Sequence, residues 1–188
     1  MPNATPTVFV MQTFGTLTLQ PALDRPDLLG VPVRKALESW EHAAEVLVAE
    51  IDPDLADTAA MTEAYDVPLD ASANCVVVMG KRAGEERTAG CVVRADTRAD
   101  VNNVVRKALD VRKCSFLDHD RAVEETGMEY GGITPIGLPD GWRLLVDESV
   151  TRIDLAIIGS GVRGSKLFLP GLHLGKLPGA EIVPDLGR

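Results

Sequence analysis

Two glycine-rich segments hold the residues with the best claim to chemistry. They are Gly127-Met-Glu-Tyr-Gly-Gly-Ile-Thr-Pro135 and Gly159-Ser-Gly161, both in the C-terminal half of the chain. Glycine carries no Cβ, so a ligand can lie directly against its backbone. Gly131-x-x-x-Pro135 reads as a stiffened loop, with Gly131 and Gly132 giving access and the fixed φ of Pro135 holding the shape. The chemistry this implies is a site built largely from main-chain N–H and C=O groups. On glycine spacing alone, ordinary turns are the competing reading.

Side chains that do standard chemistry are not arranged for it. His42, His119 and His173 are scattered and lack H-E-x-x-H spacing, so no metal site is expected. There is no G-x-x-x-x-G-K-[ST] phosphate loop and no G-x-S-x-G elbow. Ser160 stands between glycines without a partnered histidine and reads as a turn serine. Asp147-Glu148 reads as a strand end and helix cap rather than an acid/base pair. Cys75, Cys91 and Cys114 are odd in number and form no C-x-x-C pair. Buried, reduced thiols in a cytoplasmic protein are expected. No cofactor is implied.

The elements that must position these residues follow from pattern. Residues 1–12 read as loose or as an edge strand, and Thr16 to Gln20 as a short strand. Pro32 to Glu50 reads as one long amphipathic helix, with Val33, Leu37, Trp40, Ala44 and Leu47 on one face. Asp57 or Thr58 caps a helix through Tyr65. Ala73–Met79 and Thr88–Ala95 read as strands about a charged turn, Lys81 to Arg87. A helix runs from Asp100 to Leu109, a short strand covers Cys114–Leu117, and a helix from Asp118 or Asp120 ends at Gly127. Strands at 143–146, 153–158 and 166–169 follow, then a short helix after Pro170. The expected class is α/β, a mixed, largely antiparallel sheet with flanking helices. One domain is expected over residues 1–188, with 1–31 an N-terminal extension.

Charge narrows the partners. The net charge is −9, and residues 1–70 carry all of it, with 3 Lys/Arg against 12 Asp/Glu. Residues 71–188 are neutral, with 16 of each. A whole-surface grip on nucleic acid is disfavoured. No apolar run is long enough to cross a bilayer, and Thr7–Met11 is too short for a secretory signal.

An ordered series of motifs now carries a resemblance. Thr58-x-x-x-Thr-Glu-Ala64, Val76-Val-Val78, the Asp100–Leu109 segment, Thr126-Gly127, Gly131-Gly-Ile-Thr-Pro-Ile-Gly137, Val146-Asp147 and Gly159-Ser-Gly161-x-Arg163-Gly164 occur in sequence. Over about two-thirds of the chain, this series resembles the YbaK/prolyl-tRNA-synthetase-associated editing domain family of aminoacyl-tRNA deacylases. The resemblance implies that the chain hydrolyses the ester of a mischarged tRNA, with the acceptor end as ligand and a synthetase as a further partner. Gly131 would help orient the ester and a water, with Gly132, Ile133, Thr134 and Pro135 beside it. Gly159, Ser160 and Gly161 would line the pocket wall and leave room for the amino-acid side chain. The tRNA's own ribose hydroxyl would help activate the water, so no protein nucleophile is needed.

The chain departs from the family in two places. Deacylases of this type usually carry a lysine at the start of the central strand, where this chain has Asn74-Cys75-Val76. Asparagine cannot supply a positive charge. Lys166 stands where related proteins often have an acidic residue. Lys166 is expected to replace the missing cation from across the pocket; the competing reading makes it a solvated strand residue. The departure opens a second functional reading, a binding module on the same fold that has lost hydrolysis. An open pocket between the Gly131 loop and Asn74, with Lys166 pointing in, favours the enzyme. A pocket filled by side chains favours the module.

Overall fold

A computed structural model describes residues 12–188. The expectation for residues 1–11 lies outside the described residues. The chain forms two five-stranded sheets where the sequence pattern suggested one. The first runs in the order β1 (Gln12–Phe14), β2 (Leu17–Pro21), β3 (Leu47–Glu50), β9 (Ser165–Leu169), β8 (Ala156–Gly159), all antiparallel. The second runs β10 (Ala180–Val183), β7 (Arg143–Asp147), β5 (Glu85–Arg94), β4 (Ala73–Arg82), β6 (Cys114–Phe116). In it β7 pairs in parallel with β5 and β10, and the other pairs are antiparallel. A parallel bridge between Ser72 and Ile157 links the sheets beside the candidate site.

The layers follow from side chains alternating across each strand. Leu167 and Leu169 of β9, with Leu144 and Val146 of β7, enter a shared core between the sheets. Phe168 of β9 faces the other way, onto Leu17, Leu19 and Met61, where helix α2 (Thr58–Tyr65) covers the first sheet. Leu145 of β7 likewise turns to Val105 and Leu109, on the segment of π-turn (Val101–Val105) and helix α3 (Arg106–Ala108) that covers the second. Within residues 12–31, Leu17, Leu19, Ala22 and Leu29 are buried, so the segment set apart as an extension contributes core from β2 onward.

Local signals set most boundaries. Asp57 accepts from the main-chain N–H of Ala59 at 3.0 Å and opens α2. Asp118 caps helix α4 (His119–Thr126), and Gly127 ends it with φ +65°. Ala83 and Gly84, with φ +52° and +85°, make the two-residue turn joining β4 to β5. The largest correction falls on the expected helix from Pro32 to Glu50. Helix α1 covers only Val31–Ser39 and ends as Trp40 turns extended. Residues 47–50 instead form β3, paired on one side with β2 and on the other with β9. A ladder on both edges outweighs the helical spacing of Ala44 and Leu47. Trp40 is buried in the core between the sheets, as its expected anchor role requires.

Candidate active site

A cavity of about 470 Å³ opens where the two sheets meet. Its wall is drawn from four places: Ala56 to Thr58 at the start of α2, Ser72 to Val76 at the start of β4, Tyr130, Gly131 and Ile133 of the glycine loop, and Ile157 to Gly159 with Arg163 and Lys166 of the β8–β9 hairpin. Antiparallel pairing of β8 with β9 sets Gly159 opposite Lys166, which brings the second glycine segment and the lysine to one wall.

Lys166 is 6% exposed and is not a solvated strand residue. Its Nζ donates to the carbonyls of Ala56 at 2.9 Å and Gly131 at 3.3 Å. The Gly131 loop is therefore tied to the lysine through a main-chain oxygen. Burial, reinforced by the nearby Arg163 guanidinium and opposed by Asp57, pulls the ammonium from its usual 10.5 to about 8. It is still mostly charged at neutral pH. On the facing wall Asn74 accepts from the Thr58 hydroxyl at 3.0 Å. That contact leaves the Asn74 amide N–H₂ as a donor.

Arg163 frames the loop. Its guanidinium donates to the carbonyls of Tyr130 and Pro53, each at 3.0 Å, and its main-chain N–H donates to Glu129 Oε2 at 2.6 Å. Gly131 has φ +83°, and a Cβ there would stand 2.7 Å from Arg163 Nη1. Positive φ and the close guanidinium both require glycine.

The other glycines also make room for neighbouring backbone. A Cβ on Gly132 would lie 2.5 Å from the Val162 carbonyl oxygen, and one on Gly159 would lie 2.8 Å from that of Ile133. The Gly161 N–H donates to the Gly132 carbonyl at 2.8 Å. The two glycine segments thus lock backbone to backbone, and their missing side chains make room for each other. Of the expected pocket residues, Gly131, Ile133, Gly159, Asn74 and Lys166 line the cavity. Gly132, Thr134, Pro135, Ser160 and Gly161 are not on its wall. Pro135 lines a separate cleft, and Thr134 is fully buried. The Ser160 hydroxyl is engaged with Ser165 at 2.7 Å.

Three lining groups escaped sequence reasoning. Arg163 was legible only as part of a motif, and Asp57 only as a cap. Ser72 carried no signal, yet it lines the cavity and its buried Oγ has no hydrogen-bond partner. An orphaned buried hydroxyl is costly unless something fills its hydrogen bond. No histidine is among the described residues that line the cavity, and burial pushes the thiol of Cys75 up to about 12. That thiol is protonated at neutral pH and a poor nucleophile. What the arrangement can do is hold a carbonyl-bearing ligand between a buried cation, a donor from Asn74, and main chain of the Gly131 loop.

Residues 52–177 match the model of the aminoacyl-tRNA editing domain. A proline–tRNA ligase of Listeria monocytogenes (serotype 4a, strain HCC23) is 26% identical over 130 residues, which are 68% of this chain and 22% of the ligase. The ligase of Listeria welshimeri is 27% identical over 133 residues, 70% of this chain and 21% of that protein. The chain thus spans about a fifth of the length of these curated relatives. A crystallised protein, described as a candidate trans-editing enzyme for prolyl tRNA synthetase, superposes with a TM-score of 0.70 at 18% identity. That match covers 84% of this chain and 95% of the other. This chain belongs to the aminoacyl-tRNA editing domain family, the YbaK-type fold its motif series resembles.

Proposed function

We infer that the chain is an aminoacyl-tRNA deacylase acting in trans, clearing the ester of a mischarged tRNA in the cytoplasm. The observation that carries this reading is the open cavity bounded by Gly131 on one side and Asn74 on the other, with a buried ammonium between. Its volume falls in the range of small-ligand sites, roughly 300–1,000 Å³. In this reading the aminoacyl ester enters the cavity and its carbonyl oxygen approaches Lys166 Nζ. Charge developing on that oxygen is stabilised by the ammonium in a largely dry setting, where it is worth far more than in water. The side chain of the amino acid lies toward Met61, Ile157 and Ser72. The ribose hydroxyl next to the ester assists the attacking water, which fits a site lacking a nucleophile with a base. Three free thiols support a reducing compartment.

A deacylation assay tests the reading, using the full chain alone and a panel of mischarged tRNAs that begins with tRNA for proline. Release of amino acid from at least one member is expected. Lys166→Ala should lower kcat/KM by roughly 100-fold, as for loss of one oxyanion-stabilising donor. No release above background from any member, with tRNA binding retained, would replace the enzyme by the binding module. Release that is indifferent to Lys166→Ala would remove the lysine from the mechanism.

A further inference from the structure

A second cluster of chemistry-bearing side chains lies away from the cavity. His42 and Glu45 sit in the link between α1 and β3, and His173 sits on the short helix α5 (Gly171–Leu174) that follows β9. The register explains their meeting. Leu47 at the start of β3 pairs with Phe168 near the end of β9, so the residues before β3 lie beside those after β9. None of the three lines the 470 Å³ cavity.

The geometry points to a ligand set. His42 Nδ1 is 3.1 Å from Glu45 Oε1, and His173 Nδ1 is 3.8 Å from the same oxygen. The two imidazoles stack with centroids 4.1 Å apart and planes 19° from parallel. Both Nδ1 atoms approach the same Glu45 oxygen; an imidazole lone pair lies in its ring plane, so one ring must turn out of the stack for both nitrogens to reach a single ion. Zinc–nitrogen and zinc–oxygen lengths of about 2.0–2.2 Å at tetrahedral angles set neighbouring ligand atoms roughly 3.3–3.5 Å apart. The observed separations straddle that value. The decisive atom is His173 Nδ1, which is buried and has no hydrogen-bond partner. An imidazole lone pair and a carboxylate facing one another across a gap need a cation or a shared proton between them.

We propose that His42 Nδ1, His173 Nδ1 and a Glu45 carboxylate oxygen form a binding site for a divalent transition-metal ion, Zn²⁺ by preference. Two imidazoles and one carboxylate suit zinc, with a water completing four-coordination. The surroundings fit the role. Trp40 packs edge-on against both rings, at 5.5 and 6.4 Å, and restrains their orientation. Glu41 stands 3.8 Å from Nε2 of His42, beyond a direct hydrogen bond but on the side where an outer-shell carboxylate would bind. Glu45 is half exposed, which leaves the ion a path from solvent. Bound metal would clip α5 to the α1–β3 link and add stability by mass action.

Calorimetric titration of the chelator-treated full chain with Zn²⁺ tests this, with Co²⁺ as a spectroscopic substitute. One equivalent is expected to bind. Co²⁺ should give the intense visible bands of four-coordination and no thiolate charge-transfer band in the near ultraviolet. Glu45→Gln, at an exposed position, and His42→Ala should each weaken Zn²⁺ by at least about 10-fold, since even outer-shell losses reach that size. The metal-free melting curve of Glu45→Gln should match the parent, which shows that folding is intact. Absence of saturable binding overturns the proposal. So does binding that survives both variants, or a Co²⁺ spectrum of thiolate ligation from the three cysteines.

Discussion

The cavity at Lys166 and the corner at His173 are built in opposite ways. The cavity is shaped mainly by backbone: two glycine segments locked together, and carbonyls aimed at one ammonium. The corner is shaped by side chains from segments about 130 residues apart in sequence, stacked ring on ring. The difference teaches where each site is vulnerable. A backbone-built site fails when a Cβ is added, because main chain cannot move aside. A side-chain site that reaches the surface at Glu45 tolerates substitution there and loses only what it binds.

The largest effect that would sharpen this contrast is expected at Gly132. In Gly132→Ala the new Cβ meets the Val162 oxygen at 2.5 Å and its carbon and nitrogen at 2.7 Å, all main chain. A loss of at least about 3 kcal/mol is expected, at the upper end for overpacking. For a chain of this size that is a fall in Tm of roughly 6–12 °C. A melting temperature within a degree or two of the parent would mean the glycine segments are not locked.

Next comes the pH response of Lys166. Its pKa falls from 10.5 to about 8 on folding, mainly through burial. Between these values the unfolded chain holds the proton and the folded chain has released it, so this group makes stability rise with pH. Below about pH 8 both states are charged and the folded one bears the full penalty, about 3 kcal/mol. Urea titrations of the parent and Lys166→Met from pH 7 to 10 should show the parent gaining relative to the variant across that window. The difference matters because the buried cysteine thiols, raised on folding, act in the opposite sense above pH 9. A flat difference would place the ammonium in contact with bulk water.

Asp57→Ala should cost about 1 kcal/mol by removing the cap of α2. It should also lower the Lys166 pKa further, since among the described residues Asp57 is the charge favouring protonation there, and the rise in stability with pH should begin earlier in urea titrations. The smallest effect is expected in the corner. Without metal, Glu45→Gln should change stability by less than about 0.5 kcal/mol, as for most exposed polar changes. A loss above about 1 kcal/mol, measured by thermal unfolding in chelator, would make the corner a structural ion pair and erase the contrast.

The two sites also differ in how much could be read beforehand. Gly131 announced itself through Gly132 and Pro135 beside it, and Lys166 through its departure from the acidic residue that the resembled family often carries at that place. Asp57 and Asp118 were legible as caps because capping is a local bond between a side chain and N–H groups two or three residues on. Ser72 was invisible, since a serine before a strand says nothing about which side chains will seal it from water. The helix expected from Pro32 to Glu50 overran into β3 because periodicity cannot count ladder partners. Strands β1 and β10 were missed or left unassigned, being short edge elements without an alternating apolar pattern.

The sequence by itself determined which positions must be glycine-like or capped, which runs are apolar enough to form core strands, and the family to which the chain belongs. These depend on contacts within a few residues, or on an order of motifs along the chain. Only the tertiary structure decided that Gly132 and Gly159 make room for backbone, that Lys166 is held by two carbonyls, and that His42 meets His173. Each is a contact between distant segments, and strand register, which sets those distances, is a property of the assembled sheets.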